Sequence, residues 1–123
     1  YYNELKLINN IVFTPLNYDS LTLIKNSLCV STISGAVGLE AVIDGKPVIL
    51  FGSPWYTDCE GVLMSRTHDE CKIAINSVLQ NNTVDKTKVN NFLQKASYSV
   101  FDYKDDIDYI SNKLIEKINK KIN

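Results

Sequence analysis

Residues 30–52 (VSTISGAVGLEAVIDGKPVILFG) restrict the fold of this chain more than any other stretch. Two apolar runs, 28–34 and 47–52, have the composition of short buried strands. They flank residues 35–44, whose apolar side chains predict a helix, and Gly45 follows as its expected C-terminal cap. A strand, a helix and a second strand at this spacing form a βαβ unit with two parallel strands.

A second unit of the same kind precedes this one. The run Asn10–Pro15 (NIVFTP) is rich in β-branched residues and ends at a proline, so it predicts a strand. Asp19 or Ser20 then caps a helix. The apolar residues that this helix is expected to bury are Leu21, Leu23 and Ile24. The βαβαβ order predicts an α/β fold, with a three-layer, Rossmann-like parallel sheet between flanking helices.

The rest of the chain is predicted to be a loop followed by helices. Residues 53–65 are loop-like, and helices extend from about 67 to 121. Thr67 and Glu70 have the spacing of a capping box at the start of the first of these helices. The apolar stripes of the next two helices are Val89, Phe92, Leu93 and Ala96, and then Ile107, Ile110, Leu114, Ile115 and Ile118. We therefore expect a single domain over residues 1–123.

Composition excludes several classes of function. The net charge of −1 and the absence of clustered basic residues, apart from the C-terminal lysines, argue against nucleic acid as a partner. No apolar run reaches the roughly 18 residues of a membrane span. Three cysteines without a CxxC pair favour reduced thiols and a cytoplasmic protein. Because the chain begins at Tyr1, we expect it to be part of a longer protein.

The turn between the strand and the glycine-spaced helix predicts an anion site. The first amides of a helix have no acceptor within it, so they point at whatever lies beyond its end. Gly35 has no Cβ to keep a phosphate away, and Ser34 has a hydroxyl to donate. The residues predicted to bind a nucleotide are Ser34, Gly35, Ala36, Val37, Gly38 and Glu40. Their glycine spacing is not GxGxxG, which argues against an NAD site.

Glu40 lies in the second turn of this helix, where a carboxylate needs a polar partner. Two hydroxyls of a ribose donate to two carboxylate oxygens and would satisfy it. The alternatives are a glutamate on the exposed edge of the helix and one that is paired with Lys46.

Four further residues are candidates for contacts with a sugar or a base: Trp55, Tyr56, Arg66 and His68. Ligands of open α/β sheets lie at the carboxyl ends of the strands, and Trp55 and Tyr56 follow one such end. Each either stacks on a ligand or covers the sheet. Arg66 is the single arginine and His68 the single histidine; surface positions are the alternative for both.

The segment TISGAVGLEAVIDGKPVILFG resembles the C-terminal half of GT-B glycosyltransferases, and within them the capsule polysaccharide synthesis family that includes Kdo-transferases. The resemblance covers residues 10–60. It consists of Ser34-Gly35, a Val-Gly-x-Glu-Ala helix at 37–41, Gly-Lys-Pro at 45–47, a strand that ends at Gly52, and Tyr56. The Glu-Ala-x-x-x-Gly-Lys-Pro-Val segment also occurs in sugar-nucleotide epimerases.

The resemblance implies a donor-nucleotide-binding domain of a bacterial enzyme of capsule or surface polysaccharide synthesis. Glu40 would contact the ribose and 34–36 would face the phosphate. The partners implied are a nucleotide sugar such as CMP-Kdo, a glycan or glycolipid acceptor, and a missing N-terminal GT-B domain that holds the catalytic base. No metal or other cofactor is expected, and the full-length protein would be cytoplasmic or peripheral at the inner membrane. The alternatives are an epimerase fragment and a non-catalytic flavodoxin-like binding module.

Overall fold

The computed structural model describes residues 1–80 and 83–97. Eight helices and strands follow one another in this part of the chain. They are α1 (Tyr2–Leu5), α2 (Ser20–Asn26), β1 (Val30–Thr32), α3 (Ala36–Asp44), β2 (Val48–Leu50), β3 (Val62–Met64), α4 (His68–Leu79) and α5 (86–97).

The three strands form a parallel sheet in the order β1-β2-β3. Val30, Val48 and Val62 are in register across the sheet, as are Thr32 and Leu50 at the other end of the first pair. A parallel sheet flanked by helices confirms the predicted α/β fold. Since all strands point the same way, the segments that follow them, residues 33–35, 51–56 and 65–67, meet at one edge, here called the carboxyl edge.

Alternating side chains of β2 divide the core between the two faces of the sheet. Val48 and Leu50 belong to one buried cluster with residues of α3 and α5, and Ile49 is buried outside that cluster. Because neighbouring strand residues point to opposite faces, Ile49 faces the side on which α4 contacts β2 and β3. The sheet thus lies between two helical layers, as the three-layer prediction requires.

The strand predicted at Asn10–Pro15 is wrong, and a strand was missed at Val62–Met64. Residues 11–15 have no regular structure, and Val12 is 86% exposed. The described sheet buries no face of this run, so its β-branched composition alone does not make it a strand. The missed strand β3 is only three residues long and lies within the predicted loop 53–65. A turn with Gly61 at φ +85° leads into it.

The helix boundaries agree better with the sequence. Asp19 caps α2 by accepting from the Thr22 amide at 2.9 Å, and the Thr22 hydroxyl also donates to this carboxylate. These hydrogen bonds, that of the hydroxyl first, lower the pKa of Asp19. Ile24 is buried as predicted, but Leu21 and Leu23 are exposed, because the seven-residue helix packs only one side against α3.

The predicted ends of α3 and α4 are confirmed. Gly45 closes α3 in the left-handed region with φ 89°, and Thr67 and Glu70 form the capping box of α4. In α5, Val89 is buried, and Phe92, Leu93 and Ala96 are half-buried. The predicted stripe of Ile107, Ile110, Leu114, Ile115 and Ile118 lies outside the described residues.

Candidate functional site

The candidate site lies at the carboxyl edge of the sheet, where α3 begins. Ser34, Gly35 and Ala36 form the predicted turn and are exposed. Gly35 is the N-cap, and no side chain of the described residues caps this helix. The amides of Ala36 and Val37 therefore lack an acceptor within the helix and point beyond its end. This geometry is the one that binds phosphate and other anions.

Gly35 is held on both sides by side chains of the protein. Its amide donates to Thr32 Oγ1 at 3.2 Å, and its carbonyl accepts from the Tyr56 hydroxyl at 2.5 Å. The same carbonyl also accepts from the Gly38 amide at 3.2 Å. Both polar groups of the N-cap residue are thus satisfied from within the domain, while the next two amides stay open.

Tyr56 serves the fold at this position, not a ligand-facing surface. Its side chain is 2% exposed, and burial raises the pKa of its hydroxyl, which stays a donor at neutral pH. The ring occupies space that Gly38 leaves free: a Cβ at Gly38 would lie 2.5 Å from the Tyr56 hydroxyl and 3.1 Å from Thr32 Cγ2. Gly38 is buried, and its lack of a side chain lets Tyr56 pack directly against the first turn of α3.

Glu40 is exposed on α3. It is four residues after Ala36, so both lie on the same side of the helix, and helical side chains lean toward the N-terminus. The alternative of a pair with Lys46 is not formed: the ion pairs of the described residues do not include Glu40, and Lys46 Nζ donates to the Ser27 carbonyl at 3.0 Å. The carboxylate therefore lies on the open side of the helix, a position that both a ribose contact and a plain surface glutamate would share.

Arg66 links the ends of two strands at the same edge. Its guanidinium donates to Ser53 Oγ at 2.9 Å, which joins the segment after β3 to the segment after β2. Its amide donates to the Glu70 carboxylate at 2.6 Å. The side chain is exposed and keeps further N–H donors for an anion. His68 is the exposed first residue of α4, next to the capping box.

Trp55 is 63% exposed and stacks on Phe92 of α5, with ring centroids 6.0 Å apart and ring planes at 11°. Its edge-on neighbour is Tyr56, at 5.9 Å between centroids. Of the two predicted aromatic contacts, Trp55 alone presents a broad apolar surface at the carboxyl edge.

Two residues of this arrangement were not predicted from the sequence. Thr32 lies in the predicted strand 28–34, and its hydroxyl accepts from the Gly35 amide; its place three residues before the glycine is the signal. Ser53, which holds Arg66, directly follows the glycine that ends the second apolar run. Two hollows at the opposite edge, lined around Pro47, Gly61 and Thr83, contain none of the predicted site residues.

Comparison with known families places this site in context. The family model described as capsule polysaccharide biosynthesis protein matches residues 1–103. The chain belongs to this family. The match includes the whole carboxyl edge of this capsule polysaccharide biosynthesis protein and extends beyond residues 10–60, which carry the sequence resemblance. Searches of curated proteins and of solved structures gave no match.

The helices of the described part of the chain were also compared with the requirements of a bilayer. Within residues 1–80 and 83–97, none combines the length and the apolar character that a membrane crossing needs.

Proposed function

We propose that the chain is the donor-nucleotide-binding domain of a glycosyltransferase that acts in capsular or surface polysaccharide synthesis. Membership of the capsule family supports a substrate of the sugar class. The observation that carries the proposal is the open N-terminus of α3 at the carboxyl edge, with Glu40 on the same exposed side.

In this proposal the amides of Ala36 and Val37 bind a phosphate of the donor. Amides at a helix N-terminus are fixed donors, and the helix dipole favours a negative charge at this end. The Ser34 hydroxyl lies in the same exposed turn and adds a further donor. No side-chain carboxylate caps this helix, so a phosphate meets no resident anion at these amides.

Glu40 then accepts hydrogen bonds from the ribose hydroxyls. It lies four residues along the helix from Ala36, which is about 6 Å at the rise of an α-helix. This separation suits a ligand whose phosphate is at the helix end and whose ribose lies along the helix. No ion pair of the described residues engages the Glu40 carboxylate, so both of its oxygens are available for this contact.

Arg66 and Trp55 are proposed to contact the rest of the donor. The guanidinium, already positioned by Ser53, suits a phosphate or the carboxylate of an acidic sugar. The exposed face of Trp55 suits a sugar or a base. An acidic sugar of this kind is Kdo, so CMP-Kdo is our specific candidate for the donor. We propose that an N-terminal domain, facing the carboxyl edge, supplies the catalytic base. It would also bind the acceptor, a glycan or glycolipid.

Calorimetric titration of the chain with CMP, UDP and GDP tests the proposal. We expect one nucleotide to bind, and Glu40→Ala to weaken its binding by about 1–3 kcal/mol, the cost of leaving a hydrogen-bonding group without its partner. Glu4→Ala is the matched control, because Glu4 is an exposed helical glutamate of α1, outside the site. Failure of all three nucleotides to bind would overturn the proposal and favour a non-catalytic module.

A further inference from the structure

The turn that begins α3 is held by a buried tyrosine, Tyr56, whose hydroxyl donates to the Gly35 carbonyl. We infer that Tyr56 is a positioning residue, which orients the phosphate-binding amide of Ala36 through the peptide bond between Gly35 and Ala36. The inference rests on the proposed function, because that function makes the amide a ligand contact.

The direction of the Ala36 amide follows from the geometry of a trans peptide. The carbonyl of one residue and the amide of the next belong to the same planar group and point in opposite directions. The Tyr56 hydroxyl fixes the Gly35 carbonyl toward the inside of the domain. The Ala36 amide of the same peptide is therefore turned away from Tyr56, toward the exposed side of the turn.

The hydrogen bonds to the Gly35 carbonyl also affect how strongly the Ala36 amide donates. A carbonyl that accepts hydrogen bonds polarises its peptide group, and this makes the amide of that group a better donor. The Gly35 carbonyl accepts from two donors, the Tyr56 hydroxyl and the Gly38 amide. Two lone pairs on the oxygen allow both bonds at once. Tyr56 thus orients the Ala36 amide and strengthens it as a donor without any contact to the ligand.

Thr32 acts in the same way on the other side of Gly35. Its hydroxyl accepts from the Gly35 amide at 3.2 Å and fixes the peptide between Ser34 and Gly35. Together the two side chains hold the N-cap residue at both of its peptide bonds. Gly38 permits this arrangement, because a Cβ there would collide with the Tyr56 hydroxyl.

Tyr56→Phe separates positioning from packing, because it keeps the buried ring and removes only the hydroxyl. In the ligand-free protein we expect the Ala36 amide resonance to move upfield in a proton–nitrogen spectrum, with little change at the sheet residues 48–50. The affinity for the nucleotide that the unaltered chain binds should fall about two- to three-fold, less than the loss of a whole ligand hydrogen bond, because the Ala36 amide is still present. Tyr18→Phe, at an exposed tyrosine outside the site, is the matched control.

The outcomes distinguish the inference from the proposed function. An unchanged Ala36 resonance and an unchanged dissociation constant in Tyr56→Phe, beside clear binding by the unaltered chain, would overturn the inference and leave the function standing. Absence of nucleotide binding by the unaltered chain would overturn the function, and with it the role of Tyr56. If Tyr56→Phe fails to fold, Gly38→Ala provides the second variant, because its Cβ would displace the Tyr56 hydroxyl. An unmoved Ala36 resonance in that variant would also overturn the inference.

Discussion

Helices α3 and α4 both begin at the carboxyl edge of one small sheet, but their first turns are built in opposite ways. α4 is closed by its own residues: the Thr67 hydroxyl accepts from the Glu70 amide, and the Glu70 carboxylate accepts from the amides of Arg66 and Thr67. α3 begins at a glycine without a side-chain cap.

The two helix ends therefore differ in what occupies them. At α4 the Glu70 carboxylate, which accepts from the Arg66 and Thr67 amides, places a negative charge beside the helix start, and this charge opposes a second anion there. At α3 the neighbouring side chains of Thr32 and Tyr56 hold the N-cap glycine and leave the following amides open. A helix start that is held in place and carries no charge of its own suits an anion, whereas one with a resident carboxylate does not.

Of the substitutions at the two helix starts, Gly38→Ala should have the largest effect. The new Cβ would lie 2.5 Å from the Tyr56 hydroxyl, and the overpacking should lower the free energy of unfolding by about 2 kcal/mol. Chemical denaturation measures the loss. In the Tyr56→Phe background the same substitution should cost less, since the clashing oxygen is gone. Equal costs in both backgrounds would show that Gly38 does not serve Tyr56.

The second largest effect is expected when the N-cap of α3 is given a carboxylate. Gly35→Asp should place a carboxylate at the open amides, because φ −73° suits any residue and the new Cβ, 3.1 Å from Thr32 Oγ1, needs only a small shift of that side chain. We expect the affinity for the bound nucleotide to fall about tenfold or more, as a charge at the helix end competes with phosphate. Gly35→Asn, an uncharged cap, should reduce the affinity less when both are titrated by calorimetry. Unchanged affinity in Gly35→Asp would count against phosphate binding at this turn.

Removing the cap of α4 should have the smallest effect of the three substitutions. Thr67→Ala removes the capping hydroxyl and should lower the free energy of unfolding by about 1 kcal/mol, without a change in nucleotide affinity. Thr67→Ser retains the hydroxyl and should keep both properties, as thermal unfolding and calorimetry would report. A loss of affinity in Thr67→Ala as large as that in Gly35→Asp would remove the distinction between the two helix ends.

The same contrast explains how much of the fold the sequence could predict. Caps depend on neighbouring residues and were read correctly at Asp19, Gly45 and Thr67. Strands depend on partners that are distant in sequence. The predicted strand at Asn10–Pro15 is exposed, while the three residues of β3 are ordered by pairing with β2. Local composition does not contain that information.

In the candidate site, too, the features that depend on local spacing could be predicted, and those that depend on distant residues could not. The turn at 34–36 and the exposed Glu40 follow from local spacing, so the sequence could indicate them. For Tyr56 the sequence left open whether it stacks on a ligand or covers the sheet; it is buried, with its hydroxyl on the Gly35 carbonyl, 21 residues away in sequence. The contact of Ser53 with Arg66 could not be predicted, because the two become neighbours only when the strands align, whereas the contact of Thr32 with Gly35 is local and its spacing was available in the sequence.

The open amides of α3 are observed directly in a nitrogen-edited spectrum of the chain titrated with CMP, UDP and GDP. We predict that the nucleotide that binds moves the amide resonances of Ala36 and Val37, while those of His68 and Asp69 at the capped end of α4 stay in place. Binding that leaves Ala36 and Val37 unmoved, or that moves the first amides of α4 as far, would contradict the account.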